Sequence, residues 1–336
     1  TDRTEDERSF EYDDPTAINN SIVEGGNLET DNANVSFIDQ TNYNINSGYE
    51  LPLFGGTSKF KLGFASFEES VYEQEVEIDT SELPMVFEEE EETVDLDDKE
   101  WSLQWQHSLF AGENKTIQFG AFVQGKERDT AVYQAEGESE QSFTSWDQFN
   151  QTPMSLAGFN NEFEAAAGGV NKLEEDRLDV FALVKHEEQD FSWELGVRYE
   201  TTDSTITDKV EGVSAKNDYD FFLPSAHLRY NVSENGRVSA SVARSLRRPD
   251  FDYITPALLE KELGDNDFLG NPDLQPESSW GMDLGYEYRL GKSGVVGINV
   301  FYRDVTDLIE IANTGQQGSE GDGTYILQPR NTGDGN

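Results

Sequence analysis

The sequence contains no cysteine. Disulfides, thiolate metal centres and a cysteine nucleophile are therefore excluded. Histidine is scarce as well. His107, His186 and His227 are scattered with no ligand-like spacing, so no metal site is expected from them. No stretch approaches the roughly 20 consecutive apolar residues that a transmembrane helix needs. A phosphate-cradling glycine loop, a zinc motif and a nucleophile elbow are all missing. Bases are few: 24 Lys and Arg stand against 68 Asp and Glu, a formal net charge of -44. Phosphate attraction supplies most nucleic-acid affinity, so a nucleic-acid partner is disfavoured. Two readings of the acids stand. They decorate exposed loops, or they form a vestibule that attracts cations. Mean hydropathy is -0.68, a value compatible with a soluble protein or with strands whose every second residue is polar.

What is present is a rhythm of period two. Trp101-Ser102-Leu103-Gln104-Trp105-Gln106-His107 alternates apolar and polar, as does Phe191–Thr201, with Phe191, Trp193, Leu195, Val197 and Tyr199 set against Ser192, Glu194, Gly196, Arg198 and Glu200. Successive strand side chains point to opposite faces, so this pattern makes one apolar and one polar face. Strands are expected at 4–11, 42–53, 59–67, 100–109, 116–125, 178–186, 191–201, 221–230, 237–245, 281–290, 295–304 and 324–330. That is about twelve strands, many near the 9–11 residues that cross a bilayer.

The connections alternate in length. Phe54–Ser58, Phe110–Lys115, Glu187–Asp190, Asn231–Gly236 and Gly291–Gly294 read as hairpin turns. Long loops are expected between them at 68–99, 126–177, 202–220, 246–280 and 305–323. In bacterial outer-membrane barrels short turns face the periplasm and long loops face outside. Aromatics such as Trp101, Trp193, Tyr230 and Tyr302 gather at strand ends, as interfacial girdles or as cross-strand pairs of a soluble sheet. On Gly281–Leu290 one face holds Met282, Leu284, Tyr286, Tyr288 and Leu290; the other holds Asp283, Glu287 and Arg289. The fold class expected is all-β, an antiparallel up-and-down transmembrane β-barrel, here in part. Glu194, Arg198, Asp283, Glu287 and Arg289 are its expected lumen-facing polar residues.

Three further features carry candidate chemistry. Glu88–Glu92, followed by Asp95, Asp97 and Asp98, reads as a solvated loop, with a hard-cation site as the alternative. The stretch Tyr133–Phe163 sets Tyr133, Phe143, Trp146, Phe149 and Phe159 among amides and hydroxyls. It either packs onto its neighbours or forms an external loop that contacts a sugar-like ligand. Carboxylate pairs such as Asp218/Asp220 and Asp250/Asp252 are expected by chance in so acidic a chain, so no catalytic residue is assigned.

From Tyr219 onward the residues become specific. Phe222-Leu223-Pro224-Ser225, Ala243-Arg244-Ser245 and Arg248-Pro249-Asp250-Phe251 come first. Gly270-Asn271-Pro272-Asp273-Leu274-Gln275-Pro276-Glu277 and Phe301-Tyr302-Arg303-Asp304-Val305 follow, and Arg330-Asn331-Thr332-Gly333 closes the set. This stretch resembles the barrel region of TonB-dependent outer-membrane receptors. The resemblance covers 1–336 in rhythm and 176–336 in specific words. Gln275 departs from the basic residue usual there. The resemblance implies a gated importer in the Gram-negative outer membrane, with no cofactor and no catalysis of its own. Its partners would be outer-membrane lipid, the TonB complex and a scarce solute, either an oligosaccharide or a siderophore-type small molecule. The family's plug domain and TonB-contact segment precede its barrel and are not found here, so the chain reads as a piece cut at both ends. A passive porin and a surface glycan-binding β protein are the alternatives. By residue chemistry alone, Pro249, Pro272 and Pro276 end strands and stiffen loops.

Overall fold

A computed structural model describes residues 2–12, 28–79, 85–143, 162–263, 266–319, 321, 323–333 and 335. The larger sheet contains β1 (Asp2–Tyr12), β2 (Leu28–Leu53), β3 (Gly56–Asp79), β4 (Met85–Phe110), β5 (Lys115–Phe143) and β6 (Glu164–Ala165). It continues through β7 (Asn171–Glu187), β8 (Phe191–Asp208), β9 (Ser214–Asn231) and β10 (Gly236–Arg247). The short helix α1 (Phe251–Ile254) and strands β11 (Leu258–Leu263) and β12 (Asn266–Leu269) interrupt it. β13 (Glu277–Leu290) and β14 (Gly294–Thr306) resume it, and β15 (Ile309–Gln317) and β16 (Tyr325–Asn331) complete the described elements. Sheet order is β1-β2-β3-β4-β5-β7-β8-β9-β10-β13-β14, with β6 on β5, and the sheet is not closed. The strands follow one another in chain order, with β6 set on β5 and with β11 and β12 in the second sheet, and this is the up-and-down pattern expected.

All five short turns form where expected, and the strands they join are longer than expected. The stretches 68–99 and 126–143, read as loop, are mostly ladder. Their acid content had masked them: the run Glu88–Glu92 has no alternation, and the alternation at Glu75–Asp79 and Val94–Asp97 is short. Glu88–Glu92 is a case in point. It lies in β4, where alternation splits the five acids between two faces. The stretch 324–330 is a strand, as expected, but it belongs to a second, four-stranded sheet ordered β11-β12-β16-β15. In that sheet β12 pairs with β16 in parallel, Asp267 opposite Ile326.

The chain forms two compact units. The first comprises Thr1–Asn42, Phe67–Asp97 and Asp129–Val170. Here the acids of β3 and β4 meet amide and hydroxyl donors. Gln74 donates to the buried Glu89, Tyr72 to Glu91, Ser70 to Asp95 (2.7 Å) and Gln134 to Glu92 (2.9 Å). Burial, and then the hydrogen bond to Glu91, raise the Tyr72 phenol pKa above its ordinary value.

The second unit comprises Tyr43–Ser66, Asp98–Arg128 and Asn171–Asn336. Its register carries rows of like character across five strands. One row runs Leu195, Ala226, Val242, Met282, Tyr302, and the next Trp193, Leu228, Ala240, Leu284, Val300. The opposite face carries Glu194, His227, Ser241, Asp283. Leu195, Leu284 and Val300 are 54%, 56% and 61% exposed. So continuous an apolar face seeks a non-aqueous neighbour, and in a barrel that neighbour is lipid. The apolar core of this unit lies on the other face, where Leu173 of β7 and Ile206 of β8 pack against Ile254 and Leu274.

Candidate functional site

The most elaborate site lies on the polar face of β7 and β8, beneath the chain that links β10 to β13. Register sets Leu173 opposite Ile206, Arg177 opposite Thr202, Asp179 opposite Glu200 and Phe181 opposite Arg198. The alternation that makes the outer face apolar thus gathers charge on the inner one. Arg177 grips Asp179 with two bonds (Nε–Oδ1 2.8 Å, Nη2–Oδ2 2.7 Å) and also reaches Glu200 (2.7 Å). Arg198 donates to the same Asp179 (2.9 Å), and Arg248 pairs with Glu200. Asp179 and Glu200 are buried. Two-pronged arginine–carboxylate bonds are short and strong. Removing one partner from a buried pair costs about 3–5 kcal/mol, because a charge is left unmatched. Burial, with like-charged Arg177 next, pushes the Arg248 pKa down to about 10. It remains a cation at neutral pH. Burial, and then the nearby Glu175 carboxylate, raise the Tyr219 phenol.

Over this network lies the sequence word Arg248-Pro249-Asp250-Phe251. Proline ends β10, and one turn of helix follows. Phe251 sits under Lys126 and Arg128 of β5, whose charged groups lie 5.3 and 5.2 Å from its ring centre. Arg128 donates to Asp252 (2.6 Å) and to Asp98 (2.8 Å). The second word, Gly270–Glu277, folds back on the first. Asn271 N–H donates to Tyr253 O (2.7 Å), and a side chain at Gly270 would meet Thr255 O at 1.7 Å. Asn217 of β9 donates to Leu274 O (2.6 Å) and Pro272 O (3.2 Å). The third word joins them: Asn331 exchanges bonds of 2.9 Å with the Gln275 backbone. Glu277 accepts Ile309 N–H (2.8 Å). Motifs up to about 80 residues apart in sequence are thus one packed body.

A second feature is a concavity of about 390 Å³ on the polar face, lined in part by Lys185, Glu194, His227, Arg229, Ser241 and Asp283. Ser241 and Arg303 both donate to Asp283, at 3.3 and 2.9 Å. Register places Glu194, Arg198, Asp283, Glu287 and Arg289 all on the face opposite the apolar rows. Arg237 pairs with Glu287.

The aromatic candidates fare differently. Tyr133 lies in β5 rather than in a loop, opposite Ala165 of β6. Phe143 is the last residue of β5. Trp146, Phe149 and Phe159 lie outside the described residues. Sequence reasoning missed Arg177, Asp179, Glu200 and Arg248 as a group. Charges two apart on one strand were the available sign, but only register brings Asp179 opposite Glu200. Among the described residues no cluster of three or more histidines or carboxylates is placed to hold a metal.

Comparison with known proteins fits this wall. The family described as "TonB dependent receptor-like, beta-barrel" matches residues 2–336. Iron-regulated outer membrane virulence proteins from two strains of Vibrio cholerae serotype O1 are 31% and 30% identical over 94 residues, 28% of this chain and 14% of theirs. The haemophore receptor HasR of Serratia marcescens is 12% identical over 98% of this chain and 53% of its own, with a TM-score of 0.46. The ferric enterobactin receptor PfeA of Pseudomonas aeruginosa is 13% identical over 99% and 58%, with a TM-score of 0.47. The chain spans about half the length of these solved receptors. Matched along its length, and built as an antiparallel wall with one apolar and one polar face, the chain belongs to the TonB-dependent receptor-like β-barrel family of the Gram-negative outer membrane.

Proposed function

We propose that this chain forms wall and external surface of an importer that takes up a scarce iron-carrying small molecule, of siderophore or haem type, under TonB control. The family match from residue 2 to residue 336 carries the reading. The iron-regulated Vibrio cholerae relatives favour iron over sugar within it. An oligosaccharide ligand, also expected from the sequence, has no such support. A passive porin is not favoured, since the family match is to receptors.

In this reading the apolar rows face lipid, and Glu194, Arg198, Asp283, Glu287 and Arg289 face the lumen. The wall supplies position and charge, and performs no catalysis. Tyr133, Phe143, Trp146, Phe149 and Phe159 remain the proposed ligand-contacting aromatics.

The test is growth and radioiron uptake in a deletion strain complemented with the intact gene, supplied with ferric enterobactin, haem or a maltodextrin. Iron-ligand uptake that vanishes without TonB supports the proposal. Uptake of maltodextrin alone replaces iron by sugar. Uptake indifferent to TonB overturns the gated reading.

A further inference from the structure

We propose that Arg248–Ala257 together with Asn266–Glu277 is a fixed internal brace, not a gate, and that Arg248 is its positioning residue. The uptake arm of the test rests on the function proposed above; the bridging arm does not.

The segment is anchored to four strands of the sheet. Asp252 and Phe251 reach β5 through Arg128 and Lys126. Ile254 and Leu274 pack on Leu173 of β7 and Ile206 of β8. Arg248 is paired with Glu200 of β8. The carbonyls of Pro272 and Leu274 are held by Asn217 of β9. β5, β7, β8 and β9 are consecutive in the sheet, so the segment crosses all four from inside.

Three physical features oppose motion. Lifting the segment would leave the buried Glu200 without Arg248. It would wet Leu274, which is fully buried. And Gly270 packs so closely on the Thr255 carbonyl that a side chain there would clash, which joins the two halves of the segment. An element that opens and closes draws on weakly held backbone instead. A brace of this kind would fix the curvature of the wall and give an incoming ligand an immobile floor.

The absence of cysteine makes the test clean. Arg128→Cys and Asp252→Cys are introduced together in the intact protein in outer membranes and bridged with a short, reducible bismaleimide. A brace gives the same high bridging yield with and without added ferric enterobactin. Bridging then changes radioiron uptake by less than about twofold, because no lid motion is blocked. Arg248→Gln in this background lowers the bridging yield, and Arg248→Lys restores it in part. A low yield, a yield that falls on adding ferric enterobactin, or uptake lost on bridging and recovered on reduction would each overturn the brace. If the unbridged protein takes up no ferric enterobactin, the transport reading fails, while the yields still decide between brace and gate.

Discussion

Val242 and Ser241 are neighbours on β10, at one depth and on opposite faces. Val242 lies between Ala226 and Met282 in an apolar row; Ser241 lies between His227 and Asp283 in a polar one. Arginine is introduced at each position in turn. At 242 the guanidinium enters lipid near the middle of the apolar band, which costs about 2–4 kcal/mol. That corresponds to a fall of roughly thirty- to several-hundred-fold in the folding equilibrium. At 241 the same group lands beside Asp283, which already accepts Ser241 and Arg303. Its charge is matched there, and the cost should stay below about 1 kcal/mol, as for exposed ion pairs. The assay is urea-dependent folding of the intact protein into phospholipid vesicles, followed by tryptophan fluorescence and gel mobility. Equal losses at the two sites, or a larger loss for Ser241→Arg, would refute the assignment of faces.

Two further outcomes follow from particular contacts. Gly270→Ala places a methyl 1.7 Å from Thr255 O and should cost about 3 kcal/mol, the upper end of ordinary overpacking. Gly291→Ala meets no neighbour within 4 Å but keeps φ at +65°, and should cost only about 1–2 kcal/mol; urea midpoints of the two variants check the order. Tyr219 is a raised phenol, so its contribution is intact below about pH 10, where unfolded tyrosine begins to ionise. Stability should be lost as pH climbs past that point toward the higher folded value. Tyrosinate absorbance should show late-ionising groups, and Tyr219→Phe should remove one tyrosine's share of that late signal.

Much of the wall was legible because its two faces meet different solvents. A residue set toward lipid must be apolar and its neighbour need not be, so Leu195 beside Glu194 announces a strand without any homologue. Turns were legible for a similar local reason: Gly291 takes a backbone angle that other residues resist. The polar strands were not legible. Glu88–Glu92 is in a ladder, but five consecutive acids leave no alternation to mark it.

The inner site was legible only as words. Arg248-Pro249-Asp250-Phe251 and Gly270–Glu277 stood out as loop punctuation, and their prolines and Asn271 do shape local backbone. Their partners are another matter. Glu200 is close to 50 residues before Arg248, Arg128 well over 100 before Asp252, and no local pattern ties either pair. The sequence alone determined strand period, the apolar face, the turn sites and the family, because each is encoded in a few adjacent residues. The tertiary structure decided which arginines meet Glu200 from outside its hairpin, as Arg248 does, and the inward folding of the β10–β13 link. Both depend on pairing across distant stretches of chain, and that pairing is fixed by packing and charge matching rather than by local propensity.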